Sequence, residues 1–355
     1  MDKDVSDHIR KLLEDGSLLT KDNNDLPSVH FDFSEDTILI TGAAGTIGSG
    51  LTKLLLNCPF KNLMLLDNAE SPLYYLQKEF EAFQKPNVHF VLADIRDEAS
   101  MQELFSEFKP SLIFHTAAYK HVPMMEANPY EAVKLNILAT KSLADLALLN
   151  KTKKLVFIST DKAVNPISIM GLTKRVCERY LMDLNSKNKT KFLITRFGNI
   201  LGSNGSLIPL FNMQLEMGRP LTVTSPEVTR YFINKLKACQ HILEISNEAH
   251  WKHALFTFNM GKPIKIIELA KAFLEFNGHE IQKNIEFIGL RPGEKLHEEM
   301  ISDSEILKST SYKDILYVLE KTHQQKNSID LESLKKITPN DKVYRIKAIL
   351  NTILK

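Results

Sequence analysis

Short apolar runs rich in β-branched and aromatic residues recur along the first 200 positions of the chain. They are followed by glycine or polar residues, and they occupy positions 37–41, 63–67, 88–92, 112–115, 155–159 and 192–195. Runs of this length are typical of strands that are buried on both faces of a sheet. The segments between them are long enough for a helix, which a parallel pair of strands needs as its crossover. The alternation therefore predicts an α/β fold built on a doubly wound parallel sheet.

The first run leads into a turn that contains three glycines, Gly42, Gly45 and Gly48. Because they lack a Cβ atom, such glycines allow a tight turn in which backbone N–H groups approach a pyrophosphate at a helix N-terminus. A strand before the glycines and a helix after them form the context that a Rossmann-type dinucleotide site requires. We therefore predict that the three glycines, with Thr46 and Ile47 between them, bind a dinucleotide.

The second run ends in Asp67, 19 positions after Gly48. A carboxylate at this place can accept hydrogen bonds from both hydroxyls of an adenosine ribose, whereas it would repel a 2′-phosphate. Positions 68–71 contain no Arg or Lys that could pair with such a phosphate. The sequence thus favours NAD over NADP as the cofactor.

Further cofactor contacts are predicted after the third and fourth runs. Asp94 and Ile95 follow the third run, where they could contact an adenine ring through a polar edge and through apolar packing. Ala117 and Ala118 follow the fourth run, and their small side chains would let a cofactor lie against the backbone.

Polar chemistry begins where the fifth run ends, at Thr160, Asp161 and Lys162. In an open α/β sheet, ligands bind beyond the carboxyl ends of the strands. An acid and a base at that place, with Lys174 in the helix that follows, indicate an active site. A loop whose Asp and Lys are merely solvated is the alternative.

Three polar residues around the fourth run are also candidates for this crevice. We expect Lys120 to point into it, and we give His121 equal chances of a ligand contact and of a structural role in its loop. Asn136 lies in an otherwise apolar-periodic helix at positions 130–149, and for it we expect a structural role.

After position 200 the chain consists of loops and apolar-periodic helices. Asn199 is at the centre of a glycine-rich loop, and Arg196, Arg230 and Arg291 are candidates for holding a diphosphate, since guanidinium groups match phosphate oxygens. For each arginine an ordinary salt bridge is the alternative. We predict a Rossmann domain at positions 36–200 and a smaller α/β substrate-binding region at 201–355 that ends in a helix. Positions 1–35 are expected to form a leader or docking arm, with a short amphipathic helix at 5–13.

Composition argues mainly against certain partners and sites. The 355-residue chain is 43% hydrophobic and 25% charged with a net charge of +2, so bulk electrostatics do not indicate a nucleic-acid or membrane partner. Cys58, Cys177 and Cys239 lie far apart without metal-ligand spacing, and we expect reduced thiols and no metal site. The sequence shows neither a signal peptide nor a membrane span, which leads us to expect a cytoplasmic protein.

Five motifs in this order resemble the UDP-N-acetylglucosamine 4,6-dehydratases of bacterial polysaccharide biosynthesis, within the extended short-chain dehydrogenase/reductase superfamily. The motifs are Thr41-Gly-Ala-Ala-Gly-Thr-Ile-Gly48, Ala117-Ala-Tyr-Lys-His-Val-Pro123, Ser159-Thr-Asp-Lys-Ala-Val-Asn-Pro166, Arg196-Phe-Gly-Asn199 and Arg291-Pro-Gly-Glu-Lys295. The resemblance covers about residues 36–305, and it implies a tightly held nicotinamide cofactor that is reduced and reoxidised within one turnover.

One departure separates this chain from most of the superfamily. The Tyr-x-x-x-Lys motif is present here as Met170-x-x-x-Lys174, so the usual phenolic base is missing. The long, membrane-attached branch of these dehydratases carries Met at this place. The chain therefore resembles a soluble version of the catalytic domain of that branch.

The resemblance also implies roles for individual residues. After oxidation at C4 of the sugar, Lys162 would take the C5 proton and Asp161 would protonate the departing C6 hydroxyl, while Lys174 would hold the nicotinamide ribose. For the proton of the C4 hydroxyl we hypothesise Thr160 with Asp161, or a water on Lys174. The residues expected on the UDP-sugar are Lys120, His121, Arg196, Asn199, Arg230, Arg291 and Glu294.

Two other functions remain compatible with the sequence. A nucleotide-sugar 4-epimerase would share the scaffold but needs no acid–base pair for elimination, and a catalytically silent NAD-binding protein is suggested by Met170. The family resemblance further leads us to expect a homo-oligomer, with the leader and the helix from about Leu331 as contacts.

Overall fold

The computed structural model describes residues 31–185, 190–248, 251–281, 284–321 and 329–355. The helix predicted at positions 5–13, and most of the predicted arm, lie outside the described residues.

A nine-stranded sheet forms the centre of the molecule. The six predicted strands are all present, as β1 (Phe33–Thr41), β2 (Phe60–Asp67), β3 (Val88–Leu92), β4 (Leu112–His115), β5 (Lys154–Ile158) and β6 (Lys191–Arg196). They pair in parallel in the order β3-β2-β1-β4-β5-β6. The predicted α/β fold with a parallel sheet is confirmed. The strands are added in one direction from β1 to β3 and in the opposite direction from β4 to β6. Ligands bind in such folds at the crevice between β1 and β4, where the order of the strands reverses.

Helices cover both faces of this sheet. They are α1 (Thr46–Leu55), α2 (Glu70–Phe80), α3 (Glu98–Phe108), α4 (Val122–Ala127), α5 (Pro129–Ala132), α6 (Thr140–Leu149) and α7 (Ile169–Asn185). A π-helical segment, Val133–Ala139, joins α5 to α6, and short 3₁₀ turns are formed by Glu81–Phe83 and Asp161–Ala163. Alternate residues of each strand belong to different core clusters: Ile38 and Ile40 pack on one face, and Leu39 packs on the other. Burial on both faces explains why β1, β2, β4, β5 and β6 have continuous apolar runs, whereas the edge strand β3 is only partly buried.

The second half of the chain extends the same sheet. Its elements are β7 (Asn199–Ile200), α8 (Leu207–Glu216), β8 (Leu221–Val223), β9 (Thr229–Arg230), β10 (Phe232–Ile233), α9 (Lys235–Asn247), β11 (Leu255–Phe258), β12 (Ile264–Lys265), α10 (Ile266–Phe276), β13 (Ile285–Phe287), β14 (Glu305–Ser309), β15 (Ile315–Glu320), a 3₁₀ segment (Glu332–Lys336) and α11 (Val343–Leu354). Strand β11 pairs in parallel with β6, β15 pairs antiparallel with β11, and β14 closes that edge. The small strand pairs β7–β10, β9–β12 and β8–β13, with α8 and α10, lie beyond the carboxyl ends of the main strands around a third core cluster.

The C-terminal helix α11 packs against α7. Its side chains Ile346 and Leu350 are buried in the core cluster that contains the α7 residues Leu172 and Val176. The apolar face of this helix is therefore covered by its own chain. Within the described part of the chain, no helix combines the length and the apolar character that crossing a bilayer requires.

Candidate active site

The glycine turn after β1 lies directly against the loop that follows β4. Gly42 has a φ of +70°, and a Cβ atom there would lie 2.7 Å from the backbone N and Cα of Ala117. At Gly48 a Cβ atom would lie 2.2 Å from the carbonyl oxygen of Gly42. No side chain fits at either position, so the close packing requires glycine. Gly45 precedes the first residue of α1, and the free N–H groups of a helix N-terminus attract a phosphate.

Asp67, at the end of β2, is fixed beside this turn. Its carboxylate accepts hydrogen bonds from the backbone N–H groups of Ala44 and Ala69, each at 3.0 Å, and the residue is buried. The orientation of the carboxylate is therefore set by the backbone on both sides. A fixed negative charge at this place is suited to the hydroxyls of a ribose and opposes a 2′-phosphate.

The residues after β3 are engaged within the protein. Asp94 lies 2.6 Å from the guanidinium of Arg96, and the hydrogen bond from Arg96 lowers the pKa of Asp94 to about 2. Asn68 donates a further hydrogen bond to the same carboxylate. Ile95 is 4% exposed and belongs to the core, which leaves little of its side chain for an adenine ring. The adenine contacts of Asp94 and Ile95 stay predictions.

A cleft of about 1000 Å³ runs from the glycine turn to the loops of the second half. Many of the residues singled out in the sequence line it, although they are far apart along the chain. Those residues are Gly45, Thr46, Ile47, Ala118, Lys120, His121, Thr160, Lys162, Met170, Lys174, Asn199, Arg230, Arg291 and Glu294.

Thr160 and Lys162 line the cleft, and Asp161 lies buried directly behind that lining in one hydrogen-bonded group with them. Thr160 caps the 3₁₀ turn Asp161–Ala163, which brings consecutive side chains together. Asp161 is fully buried, and its Oδ1 accepts from Thr160 Oγ1 at 2.8 Å and from Lys162 Nζ at 3.0 Å. Lys162 Nζ also donates to Oδ1 of Asn199 at 3.0 Å. An acid and a base are thus held in contact, with the lysine facing the cleft.

Glu298 adds a second carboxyl to this group, and the sequence did not indicate it. Its Oε1 lies 4.0 Å from Lys162 Nζ, and its side chain is 4% exposed. Burial raises the pKa of Glu298, and the charge of Asp161 acts in the same direction, while Lys162 opposes it. Glu298 is 136 positions from Lys162 and stands next to the exposed Glu299, so no local pattern could have revealed it.

Met170 and Lys174 approach the cleft from the first turns of α7, and both are buried. Lys174 Nζ donates to the carbonyl oxygen of Ile158 at 2.8 Å and lies 4.4 Å from the centre of the Phe157 ring. Burial lowers the pKa of Lys174 to about 8. Met170 presents a thioether where the superfamily motif has a phenol, so the side chain at this position has no proton to exchange.

Lys120 and His121 occupy the cleft wall contributed by the loop after β4. Burial lowers the pKa of Lys120, and burial together with Lys120 lowers the pKa of His121. The ring of His121 faces the glycine-rich loop, where a Cβ atom on Gly205 would lie 2.7 Å from it. The side chain of His121 therefore packs against the loop that closes this side of the cleft.

Asn136 has the structural role that was predicted. Its Oδ1 accepts from the backbone N–H of Tyr119 at 2.9 Å, and its Nδ2 donates to the carbonyl oxygen of Tyr119 and to Thr173 Oγ1, both at 3.0 Å. These bonds fix the loop that carries Lys120 to the helix that carries Lys174.

Arg196 does not reach the cleft, and the prediction that it binds a diphosphate is wrong. Its side chain is fully buried, with one guanidinium nitrogen 2.7 Å from Glu178 and another 3.0 Å from Glu305. It also donates to the carbonyl oxygen of Met300 at 3.3 Å. The guanidinium is held by the protein's own acceptors, so a substrate phosphate has no access to it.

Arg230 and Arg291 do lie at the cleft, and Glu294 joins them. Arg230 is buried and donates to Glu294 Oε1 at 3.0 Å and to the carbonyl oxygens of Thr229 and Lys295. Arg291 is about half exposed, and its Nε lies 3.3 Å from Glu294 Oε2. Arg291 therefore keeps an accessible guanidinium, whereas Arg230 and Glu294 act largely as its support. Their contacts with substrate stay predictions.

A family of polysaccharide biosynthesis proteins has a sequence model that matches residues 38–320 of this chain. The capsular polysaccharide biosynthesis protein CapD of Staphylococcus aureus is 42% identical over 311 residues, which cover 86% of this chain and 52% of CapD. The chain thus spans about half the length of CapD. A UDP-glucose 4-epimerase of Rickettsia bellii is 33% identical over 287 residues, which cover 78% of this chain and 81% of the epimerase.

Solved structures show the same architecture. The X-ray structure of Pen from Bacillus thuringiensis superposes with a TM-score of 0.72 at 32% identity, over 80% of this chain and 89% of Pen. DesIV of Streptomyces venezuelae, a dTDP-glucose 4,6-dehydratase solved with NAD and TYD bound, has a TM-score of 0.65 at 22% identity, over 74% of this chain and 87% of DesIV. At that identity the likeness to DesIV concerns the fold alone.

Proposed function

The chain belongs to the polysaccharide biosynthesis protein family, and from this premise we propose that it is an NAD-dependent 4,6-dehydratase of UDP-N-acetylglucosamine. The observation that carries the proposal is the buried Asp161 in contact with Lys162, which faces a cleft that also contains the glycine turn. The product would be a 4-keto-6-deoxy sugar nucleotide for the synthesis of a polysaccharide.

The residues around the glycine turn fit NAD. Gly42 and Gly48 leave no room for side chains where a pyrophosphate would approach the start of α1, and Asp67 supplies the fixed carboxylate for a ribose. Lys174 of α7, whose Nζ donates to the carbonyl oxygen of Ile158 at the end of β5, would hold the nicotinamide ribose. When bound, NAD would supply the hydride acceptor for oxidation at C4 and the hydride donor at C6.

The elimination itself would be performed by Asp161 and Lys162. A ketone at C4 acidifies the C5 proton, which neutral Lys162 accepts, while protonated Asp161 gives its proton to the departing C6 hydroxyl. One proton enters the pair and one leaves it, so the pair ends as Asp161 carboxylate and Lys162 ammonium. Reduction at C6 must be matched by a proton at C5, which the Lys162 ammonium would give back. Asp161 would regain a proton from solvent, in balance with the proton that the C4 hydroxyl releases on oxidation, and the pair is then reset.

Two observations favour other functions. The Rickettsia bellii relative is a UDP-glucose 4-epimerase, and an epimerase would use the same cofactor and cleft without eliminating water. Met170 replaces the usual phenolic base, which would suit an NAD-binding protein without turnover. Neither alternative gives a function to the buried pair of Asp161 and Lys162.

Mass spectrometry of the whole protein incubated with UDP-N-acetylglucosamine in deuterated water tests the proposal. We expect a product lighter by one water that carries solvent deuterium at C5. An unchanged mass with inverted C4 would establish the epimerase, and NAD bound without conversion would establish the silent protein.

Variants then assign the chemistry to the pair. We expect Asp161→Asn and Lys162→Met each to lower kcat by about a hundredfold or more, since each removes one proton-transfer group. Lys153→Met is the matched control, because Lys153 is exposed at the opposite end of β5. An equal loss of activity in Lys153→Met would show that the effect is not specific to the pair.

A further inference from the structure

Glu298 lies near Lys162, in the segment that runs alongside β9. Thr229 of β9 forms a parallel bridge with His297, which fixes the backbone next to Glu298. The carboxyl of Glu298 is 4.0 Å from Lys162 Nζ, while Asp161 and Asn199 are both 3.0 Å from it. The ammonium group of Lys162 therefore has two hydrogen-bond acceptors, Asp161 and Asn199, and a second carboxyl, Glu298, at ion-pair distance.

Among the described residues, each of the two carboxyl groups, Asp161 and Glu298, has one oxygen without a hydrogen-bond partner. In the part of the chain that the structure describes, Asp161 Oδ2 and Glu298 Oε2 are the buried carboxyl oxygens without a hydrogen-bond partner. A buried acceptor without a partner costs free energy unless it takes a proton or gains a partner in another state. Each of the two carboxyls therefore has an oxygen on which a proton could be held.

The charges around Glu298 come from several elements. Lys162 and Asp161 face it from the 3₁₀ turn, Arg230 faces it from β9, and Lys295 faces it from its own segment. Burial is the largest influence and raises the pKa of Glu298, and Asp161 adds to this, while the three cations oppose it.

We propose that Glu298 is a positioning residue for the elimination, which shares the ammonium group of Lys162 with Asp161 and so sets the pH range in which the pair transfers protons. The inference rests on the proposed dehydratase function for its effect on turnover. Its effect on Lys162 does not depend on which reaction the protein catalyses.

The direction of the effect follows from the sign of the charge. An ionised Glu298 favours the ammonium form of Lys162 and disfavours the carboxylate form of Asp161. Neutral Lys162 is required as the base, and this requirement gives the limb of the kcat profile that rises with pH. Protonated Asp161 is required as the acid, and this requirement gives the limb that falls. Loss of the negative charge should therefore move both limbs to lower pH.

The pH profile of kcat in the NAD-loaded protein is the first test. For Glu298→Gln we expect both limbs to move to lower pH by about one unit, the lower end of what a nearby charge does to a titrating group. Glu298→Asp keeps the charge and should keep the wild-type profile at a reduced kcat. Glu299→Gln is the matched control, since the neighbouring Glu299 side chain is 51% exposed, and it should change neither. A Glu298→Gln variant with lower kcat but an unmoved profile would overturn the proposal.

Labelling of Lys162 is the second test and needs no turnover. Acetylation by acetic anhydride at a series of pH values, read by mass spectrometry of the peptide that contains Lys162, gives the pH of half-maximal labelling. We expect this pH to fall in Glu298→Gln and to stay unchanged in Glu299→Gln. Equal values in wild type and Glu298→Gln would overturn the proposal, whereas a wild type that forms no dehydrated sugar would overturn only the proposed function. Thermal melting and NAD content report on folding, and Glu298→Met repeats the reading if Glu298→Gln is unstable.

Discussion

The guanidinium of Arg196 lies in a cluster of buried charges that joins three elements of the fold. It extends from β6 between Glu178 of α7 and Glu305 of β14, and Ser159 donates a further hydrogen bond of 2.6 Å to Glu178. Burial alone would raise the pKa of Glu178, but the charge and hydrogen bonds of Arg196 lower it to about 2. Arg175 adds a second guanidinium, 2.9 Å from Glu178 and 3.4 Å from Glu305, so the two buried carboxylates are compensated by two cations.

Removal of this guanidinium should therefore affect stability and leave substrate binding intact. We expect Arg196→Met to lower the free energy of unfolding by about 3 kcal/mol, since two buried carboxylates lose one of their two cations and keep Arg175 as the other. Arg291→Met is the matched control, because Arg291 is half exposed at the cleft. It should raise KM for the UDP-sugar about tenfold and change stability by less than about 0.5 kcal/mol. Urea denaturation and steady-state kinetics separate the two effects, and a raised KM with normal stability in Arg196→Met would restore it as a substrate ligand.

The stability difference should also depend on pH. The pKa of Glu178 is lowered from 4.5 to about 2 in the folded protein, so its ion pair contributes stability that is fully present above about pH 4.5 and is lost as pH falls towards 2. The deficit of Arg196→Met should accordingly be largest above pH 4.5 and should narrow below it.

Position along a strand explains which residues could be predicted at this scale. Asp161 and Lys162 follow β5, and Arg196 ends β6, so all three were expected at the same edge of the sheet. The hydrophobic pattern shows at which edge of the sheet Arg196 lies. The direction of its side chain depends on Glu178 of α7 and Glu305 of β14. Such partners lie 18 and 109 positions away, and no local pattern encodes their approach.

Among the elements, the helix from Pro129 to Leu149 shows what periodicity can and cannot reveal. Apolar spacing predicted one helix at positions 130–149, and the structure has that helix with a π-helical segment, Val133–Ala139, inside it. The widened turn leaves the carbonyl oxygen of Asn136 to accept from Thr140 Oγ1 at 2.7 Å and from Cys177 Sγ at 2.9 Å. The apolar period of the sequence did not indicate this widened turn.

The start of α7 is held by a carboxylate from another helix, together with Ser168, whose Oγ accepts from the backbone N–H of Gly171 at 3.0 Å. Glu126 Oε1 accepts from the backbone N–H of Ile169, the first residue of α7, at 2.7 Å. Its other oxygen is 2.8 Å from Lys347 Nζ of α11. Because α7 carries Met170 and Lys174 in its first turns, Glu126 links their position to the C-terminal helix.

Loss of Glu126 should consequently affect catalysis as well as stability. We expect Glu126→Ala to lower the free energy of unfolding by about 1–2 kcal/mol, as the loss of a helix cap does, and to lower kcat several-fold as Lys174 is displaced. Lys347→Met removes only the contact with α11 and should retain most of the activity. Thermal melting and kcat of both variants check this, and equal losses of kcat in the two would show that α11, and not the cap, positions α7.

At the scale of the whole molecule, the central sheet has nine strands, three more than the sequence predicted. The six strands with long apolar runs were found from the sequence, whereas β11, β14 and β15 were not. These three are separated by loops and helices of the second half, and their place in the sheet is set by pairing with β6 and with one another. Two of their pairings, β11 with β15 and β15 with β14, are antiparallel, so the regular alternation of strand and helix that reveals a parallel sheet is absent there. The sequence predicted two regions that meet at residue 200. In the structure, strands from both regions belong to the same sheet.

The nine-stranded sheet predicts that the two regions unfold together. A fragment of residues 31–200 would leave β6 as an open edge with Phe192 and Ile194 uncovered, and it would deprive Arg196 of Glu305. It would also remove α9 from α1 and α11 from α7. We therefore expect the fragment to show no cooperative unfolding transition, since an exposed strand edge and a buried charge that has lost its partner are both unfavourable.

The whole chain provides the complementary measurement. Its single tryptophan, Trp251, packs against Phe256 of β11 and Tyr317 of β15, so its fluorescence reports on the added edge of the sheet. Far-UV circular dichroism reports on all helices and strands, most of which lie in the first 200 residues. If the sheet is one cooperative unit, the two signals should change at the same urea concentration. Separate midpoints, or a 31–200 fragment that folds and binds NAD, would instead show an independent Rossmann domain to which the second half is merely attached.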